Sequence, residues 1–452
     1  MARLVFLVIT FAAFSHAAAQ PLAMDRVLGA WSAKEDAFRA TLLLERDADS
    51  SLVAFFAAPD LSRGARLSSA VVRGDSLFLE ASAVDAAFRG AISRTDRRIT
   101  GTWTQEDMIV RLTLVPATSR LQPLARPRDP APSHPYASED VVFQSAPNIR
   151  LAGTLTIPDG PGPHPAAVLA PGTGDNGRDY EMDGHRPFHV LADHLTRQGF
   201  VVLRYDERGV GESDGVPFAS SFDDQARDLA AAVRTLKDRP EVAAERVGIV
   251  GHSVGGVHAP YVHERLERAA FLVLLMTPSA PLRDVLREQS PRMAAARGAS
   301  DLEVEAQRAL GRAIIDAAAA DTDSLTAAAA MGVAYDAAGW APDAREAGIR
   351  ANTSPFWRDL VRFDPTSVLE AVDVPVLALY GRSDLAVTPQ ENAAQMTAAL
   401  TASPTDDATV AVLGGLNHSF QTSLTGLEGS AFDPQLLDLL TEWLVTRTSN
   451  NR

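Results

Sequence analysis

The chain has 452 residues, 46% apolar and 22% charged, which suits two or three packed domains. Its net charge of −15 excludes the basic surface that nucleic acid or an anionic membrane requires. It contains no cysteine, which excludes a disulfide framework, a thiol nucleophile and thiolate metal sites.

Residues 1–19 read as a secretory signal. Arg3 supplies the positive start, Leu4 to Phe14 the apolar stretch, and Ala17-Ala18-Ala19 the small-residue cleavage site before Gln20. The apolar run is shorter than the ~20 residues a spanning helix needs. The expectation is therefore a periplasmic or secreted protein, cleaved near Ala19, with no membrane span in its mature part.

Residues 20–116 carry short alternating runs at Ala40–Arg46, Leu52–Ala57, Ala70–Val72, Ser76–Glu80, Ala86–Ile92, Arg98–Thr102 and Ile109–Val115. Hairpin turns are expected at Arg73-Gly74-Asp75 and Thr95-Asp96. Successive hairpins without intervening helices predict an antiparallel sandwich or small barrel, with Trp31 and Trp103 placed to plug it. Residues 117–137, punctuated by Pro123, Pro127, Pro130, Pro132 and Pro135, read as a semi-extended linker.

From 138 to 452 the pattern changes. Val141–Phe143 and Leu151–Ile157 suggest an opening hairpin. Apolar runs then follow at Ala166–Ala170, Val201–Tyr205, Val247–Val250, Phe271–Met276, Val376–Tyr380 and Thr409–Leu413. Helical patterns lie between or after them, including Pro187–Gln198, Ser221–Asp238 and Pro434–Thr446. This alternation predicts a doubly wound, mainly parallel sheet with its site at the strand C-terminal ends. The alanine-rich stretch of about 280–354, punctuated by prolines, is too long for one crossover and is expected to form a helical cap.

The chemistry centres on Gly251-His252-Ser253-Val254-Gly255, a G-x-S-x-G pattern directly after a β-branched run. In a strand-to-helix setting this is a nucleophile elbow, and the serine needs a base and an orienting acid downstream. His418 is the only histidine after His263 and follows the last predicted strand, so it is the expected base. Asp384, just beyond the strand at Val376–Tyr380, is the expected acid. Asp373 and Glu391 read as surface charges. Two backbone donors are needed for an oxyanion. They are expected from Val254 and from Thr173 in the loop Pro171-Gly172-Thr173-Gly174-Asp175, with Gly174 in reserve.

Other clusters point elsewhere. The glycine loop lacks the Lys-Ser/Thr of a P-loop and the third glycine of a dinucleotide fingerprint, so no nucleotide cofactor is expected. His185, His189 and His194 do not form an H-E-x-x-H pattern and no cysteine is available, so no metal is expected, and they read instead as first-turn helix residues near the pocket mouth. Asp206-Glu207-Arg208-Gly209-Val210-Gly211-Glu212-Ser213 reads as a charge-braced loop beside the site.

Several stretches resemble the EstD-like bacterial carboxylesterases, α/β-hydrolases grouped with the serine-aminopeptidase-like hydrolases. They are Leu151-Ala152-Gly153-Thr154-Leu155-Thr156-Ile157-Pro158, Gly184-His185-Arg186-Pro187-Phe188 with Leu191-Ala192-Asp193-His194-Leu195, Leu203-Arg204-Tyr205-Asp206-Glu207-Arg208-Gly209-Val210-Gly211, and Gly251-His252-Ser253. The resemblance implies a Ser253–Asp384–His418 triad hydrolysing short-chain esters without a cofactor or metal. Two positions depart from that family. Val254 stands where many relatives carry glutamate, and Pro171-Gly172-Thr173-Gly174 replaces a common Ser-Gly-Ser-Gly. Pro171 has no N–H, so the oxyanion donor must come later in the loop. The alternatives are a serine aminopeptidase or amidase on the same triad, with Asp301, Glu303 and Glu305 offering charge for an amino terminus, or a catalytically silent binding protein.

Overall fold

The computed structural model describes residues 26–33, 41–46, 51–57, 65–67, 69–81, 86–105, 108–117, 130, 134–181, 185–216, 219–422 and 432–448. The expected signal segment and most of the expected linker lie outside these residues. Among the described residues, no helix is long and apolar enough to cross a membrane.

Among the described residues, the first sheet has nine antiparallel strands: β1 (Gly29–Ala33), β2 (Thr41–Arg46), β3 (Leu52–Ala57), β4 (Ala65–Arg66), β5 (Ser69–Arg73), β6 (Ser76–Ala81), β7 (Ala86–Ile92), β8 (Ile99–Gln105) and β9 (Met108–Pro116). Their order is β4-β3-β2-β1-β9-β8-β7-β6-β5, and β3 packs back against β5, so a single sheet curls into a nearly closed barrel. Period-two alternation turns Leu77, Leu79, Phe88, Ile99 and Trp103 inward. Trp31 is also buried, and its indole N–H donates to the Val27 carbonyl at 2.6 Å. The barrel's apolar core continues into two residues of the second unit, Ala296 and Leu385.

Among the described residues, the second sheet has eight strands: β10 (Tyr136–Ala146), β11 (Ile149–Pro158), β12 (His164–Ala170), β13 (Val201–Tyr205), β14 (Val242–His252), β15 (Leu272–Leu275), β16 (Val376–Gly381) and β17 (Ala408–Leu413). The order is β10-β11-β13-β12-β14-β15-β16-β17, with the β10–β11 and β11–β13 pairings antiparallel and the remaining pairings parallel. Helices cover both faces. On one face, α2 (Phe222–Lys237), α3 (Val254–Arg265) and α10 (Pro389–Ala402) pack on Val168, Val247 and Ile249. On the other, α1 (Pro187–Arg197) and α11 (Pro434–Thr448) pack on Ala167, Leu169 and Val250. Burial on both faces explains why these strands are continuous apolar runs rather than alternating ones. The architecture is an α/β-hydrolase fold preceded by an antiparallel β-unit.

Between β15 and β16 come α4 (Leu282–Ala296), α5 (Asp301–Ala319), α6 (Ser324–Ala337), α7 (Pro342–Asn352), α8 (Pro355–Arg362) and α9 (Thr366–Glu370). The helical excursion thus runs beyond residue 354. Local signals explain the starts: Ser300 forms a capping box with Glu303, Asp323 caps α6, and proline opens α7 and α8. The excursion has its own core around Leu310, Ile314, Met331 and Tyr335. A second cluster of Phe222, Val254, Val257, Leu282, Phe356 and Leu360 seals it onto α2 and α3.

Gly248, in the middle of β14, lies against the Phe271 ring, where an added Cβ would overlap the ring carbons. Gly248→Ala is expected to lower stability by about 1–3 kcal/mol through overpacking, read as a lower urea midpoint. Phe271→Leu in the same chain should recover part of the loss. An unchanged midpoint in the single variant would show that the strand has room to spare.

Candidate active site

Strand β14 ends at His252 and α3 begins at Val254, which leaves Ser253 to make the whole turn. Its backbone lies at φ 53°, ψ −122°, a strained conformation for a residue with a Cβ. Crowding explains the flanking glycines. A Cβ on Gly251 would strike the Gly255 main chain, one on Gly255 the carbonyls of Ala170 and Pro171, and one on Gly256 the Thr277 side chain. The Ser253 N–H is held by the Leu275 carbonyl at 2.9 Å. Val254, as the first residue of α3, has an N–H with no acceptor inside the helix.

Asp384 and His418 are brought together from loops past β16 and β17. The His418 Nδ1 donates to Asp384 Oδ2 at 2.7 Å, and Asp384 Oδ1 accepts the Ala386 and Val387 N–H groups at 2.8 Å each. Asp384 is buried at 2% exposure, so its orientation is set by protein donors rather than by water. The neighbouring Asn417 side chain accepts from the Ser419 and Gln421 N–H groups, both at 3.0 Å, and fixes the turn that carries His418.

Two residues the sequence did not single out tie these loops to the elbow. His252 Nε2 lies 2.9 Å from the His418 carbonyl oxygen, and His252 Nδ1 lies 3.0 Å from the Tyr180 hydroxyl. A carbonyl can only accept, so Nε2 carries the proton and Nδ1 accepts from Tyr180. Burial holds the His252 imidazole well below its usual pKa, which keeps this neutral tautomer. The Tyr180 hydroxyl also lies against Gly172. His252 entered the reading only as part of the Gly251-His252-Ser253 stretch and Tyr180 not at all, because no local pattern marks the hydrogen bonds that either makes.

The loop after β12 lies against Ser253. A Cβ on Gly172 would stand 2.9 Å from Ser253 Cβ and 3.4 Å from its Oγ. Thr173 and Gly174 are exposed beside it. Asn176 stabilises the loop, donating from Nδ2 to the Gly172 carbonyl and to Glu207 Oε2, both at 2.9 Å.

The charged loop after β13 is braced as its composition implies. Arg178 pairs with Asp206 at 2.6 Å and Arg208 with Asp228 at 2.6 Å. Burial pushes the Asp206 carboxyl up, but its hydrogen bonds, chiefly from Arg178, hold it below the usual range. Asp373 and Glu391 are half exposed, paired with Arg268 and Arg292. In the excursion, Glu303 completes a helix cap and Glu305 pairs with Arg308 at 2.6 Å. These two carboxylates are engaged with the helix itself, as in a solvated helix start.

The histidine expectation needs correction. His189 lies in the first turn of α1, but His185 precedes the helix, and His194 sits in its last turn with Nε2 2.6 Å from the Thr441 hydroxyl of α11. Among the described residues, no group of three His, Cys, Asp or Glu side chains is placed to hold a metal.

A family model described as "Serine aminopeptidase, S33" matches residues 182–422. Esterase EstD of Thermotoga maritima is 26% identical over 303 residues, 65% of each chain. The uncharacterized protein YfhR of Escherichia coli K12 is 29% identical over 142 residues, 31% of this chain and 47% of YfhR. The chain thus spans less than two thirds of the length of these relatives. Among solved structures, the Pyrococcus furiosus esterase PF2001 aligns at TM-score 0.46 and 16% identity, over 72% of this chain and 98% of that one.

Glu207 titrates unusually. Burial pushes its carboxyl up to about 8, against the opposing pull of the two Asn176 donors. Between the ordinary glutamate pKa and about 8, the folded protein holds this proton more tightly than the unfolded chain does. Its contribution to stability is full below the unfolded pKa and falls as pH rises through the folded one. Unfolding titrations from pH 5 to 8 should therefore show wild type losing more stability than Glu207→Gln. Parallel curves would show that Glu207 titrates normally.

Proposed function

We propose a hydrolytic function that starts from family membership: this chain belongs to the serine aminopeptidase, S33 family. Within that family we read it as a serine hydrolase of carboxylic esters with small acyl groups. The observation that carries the reading is the 2.7 Å Asp384–His418 pair on the two loops past β16 and β17, in a fold whose elbow presents Ser253. The likeness to a relative named an esterase supports the substrate class. Residues 1–19 support export.

In this mechanism His418 Nε2 takes the proton from Ser253 Oγ as the oxygen attacks the ester carbonyl carbon. The negative charge on the carbonyl oxygen is met by the N–H groups of Val254 and Thr173, with Gly174 as the neighbouring donor. Collapse breaks the ester C–O bond, and His418 returns the proton to the departing alcohol. Water, deprotonated by His418, then attacks the acyl-enzyme and releases the acid. Asp384 keeps the His418 tautomer with its acceptor nitrogen toward Ser253 and stabilises the imidazolium that forms. No cofactor or metal takes part.

Purified protein should hydrolyse p-nitrophenyl acetate and butyrate well above aminoacyl-p-nitroanilides. Ser253→Ala and His418→Ala should reduce the rate to near background, and Asp384→Asn should lower kcat by about 10⁴-fold. Ester turnover surviving in Ser253→Ala would sink the mechanism. Anilide turnover exceeding ester turnover would assign the same triad to a peptidase.

A further inference from the structure

The oxyanion-loop donor is a backbone N–H, and a backbone N–H has no rotamer of its own. Its direction is set by the peptide plane, in which the N–H of one residue points opposite to the C=O of the residue before it. For the Thr173 N–H the relevant carbonyl is that of Gly172. Glycine leaves this plane free to rotate in the absence of a restraint, so the direction of the donor depends on what holds the Gly172 oxygen.

One side chain holds it. Asn176 Nδ2 donates to the Gly172 oxygen at 2.9 Å, and the same Nδ2 donates to Glu207 Oε2 at 2.9 Å. Glu207 Oε2 also accepts the Asn176 N–H at 2.8 Å, and the Glu207 N–H returns a bond to the Asn176 carbonyl at 3.0 Å. The Asn176 amide therefore has its main chain anchored in both directions and its NH₂ shared between two acceptors. On the near side, the Tyr180 hydroxyl lies against Gly172, 2.6 Å from where a Cβ on that glycine would stand, so the residue is confined on both sides. Among the described residues, no protein group accepts the Thr173 N–H, and Thr173 is exposed.

We propose that Asn176 and Glu207 are positioning residues for the reaction: they clamp the Gly172 carbonyl away from Ser253 and thereby aim the Thr173 N–H at the oxyanion. The assignment rests on the serine-hydrolase reading above. Neither side chain touches substrate; both act through the orientation of one peptide. An oxyanion donor acts more strongly in the transition state than in the ground state, so loosening the clamp lowers kcat and leaves KM nearly unchanged.

The test compares Asn176→Asp, Glu207→Ala and Glu207→Gln with wild type and Ser253→Ala. Two readouts are used: p-nitrophenyl butyrate kinetics, and the rate at which a fluorophosphonate probe labels Ser253. Asn176→Asp removes the NH₂ donor and sets a carboxylate beside Glu207. Glu207→Ala leaves both Asn176 donors without their acceptor. Each is expected to lower kcat and the labelling rate about 10- to 100-fold, short of the 10²–10³-fold seen when an oxyanion donor is lost outright, with KM within about twofold. Glu207→Gln keeps an oxygen acceptor for both Asn176 N–H groups and should recover most of the loss. If Asn176→Asp fails to fold, as judged by circular dichroism, the two Glu207 variants decide the matter. Folded variants with wild-type kcat, a defect confined to KM, or a Gln variant as impaired as the Ala one would each overturn the clamp while leaving the nucleophile in place. A wild-type protein that the probe does not label would remove the serine reading itself, and the clamp with it.

Discussion

The constraint on which the site depends is the backbone of Ser253, held at φ 53° between a strand and a helix. A serine resists that conformation, and strain of this kind costs on the order of 1–3 kcal/mol. The surroundings leave it no alternative. Its N–H is fixed on Leu275, and Gly255 lies so close to Ala170 and Pro171 that the start of α3 is wedged against the end of β12. The same close approach that forbids side chains at Gly251, Gly255 and Gly256 brings the glycine loop within reach of Ser253. Turn geometry and donor placement are thus two results of one packing arrangement.

Three loops meet around that turn, and contacts through His252 connect them. Gly172 lies against the Tyr180 hydroxyl, Tyr180 bonds to His252 Nδ1, and His252 Nε2 to the His418 carbonyl, while the His418 ring bonds to Asp384. From Tyr180 to the His418 carbonyl the run has one polarity, because the carbonyl at its end can only accept. A buried neutral imidazole suits the middle position, since it has one donor and one acceptor and carries no charge to desolvate. His252 is therefore a structural histidine next to the proposed nucleophile, distinct from the histidine proposed as base.

The β-unit is not a detached neighbour. Its core includes Ala296, at the end of α4, and Leu385, the residue directly after Asp384. The backbone that carries the proposed acid and the first helix of the excursion are packed into the same apolar cluster as Trp31 and Trp103. Apolar packing is short-ranged and close-fitting, so changes at this junction act on the Asp384 turn from outside the α/β core.

Local signals were sufficient for most of the architecture. Strand runs such as Val201–Tyr205 and helix starts such as Pro187 are written in spans of a few residues, and the order of Ser253, Asp384 and His418 could be read along the chain. Burial on two faces makes continuous apolar strands, and a backbone turn demands small residues; both are one-dimensional facts. Pro260 lies inside α3 although proline disfavours a helix interior, so there tertiary packing overrode propensity. Only the tertiary structure decided that the antiparallel strands form one curled sheet, that Leu385 joins the barrel core, and that His194 turns to Thr441. It alone brought Tyr180, His252, Asn176 and Glu207 to the elbow. The reason is physical. A hydrogen bond between residues 72 or 166 positions apart leaves no trace in the local pattern of either partner, because its energy exists only once the sheet has set the distance between them.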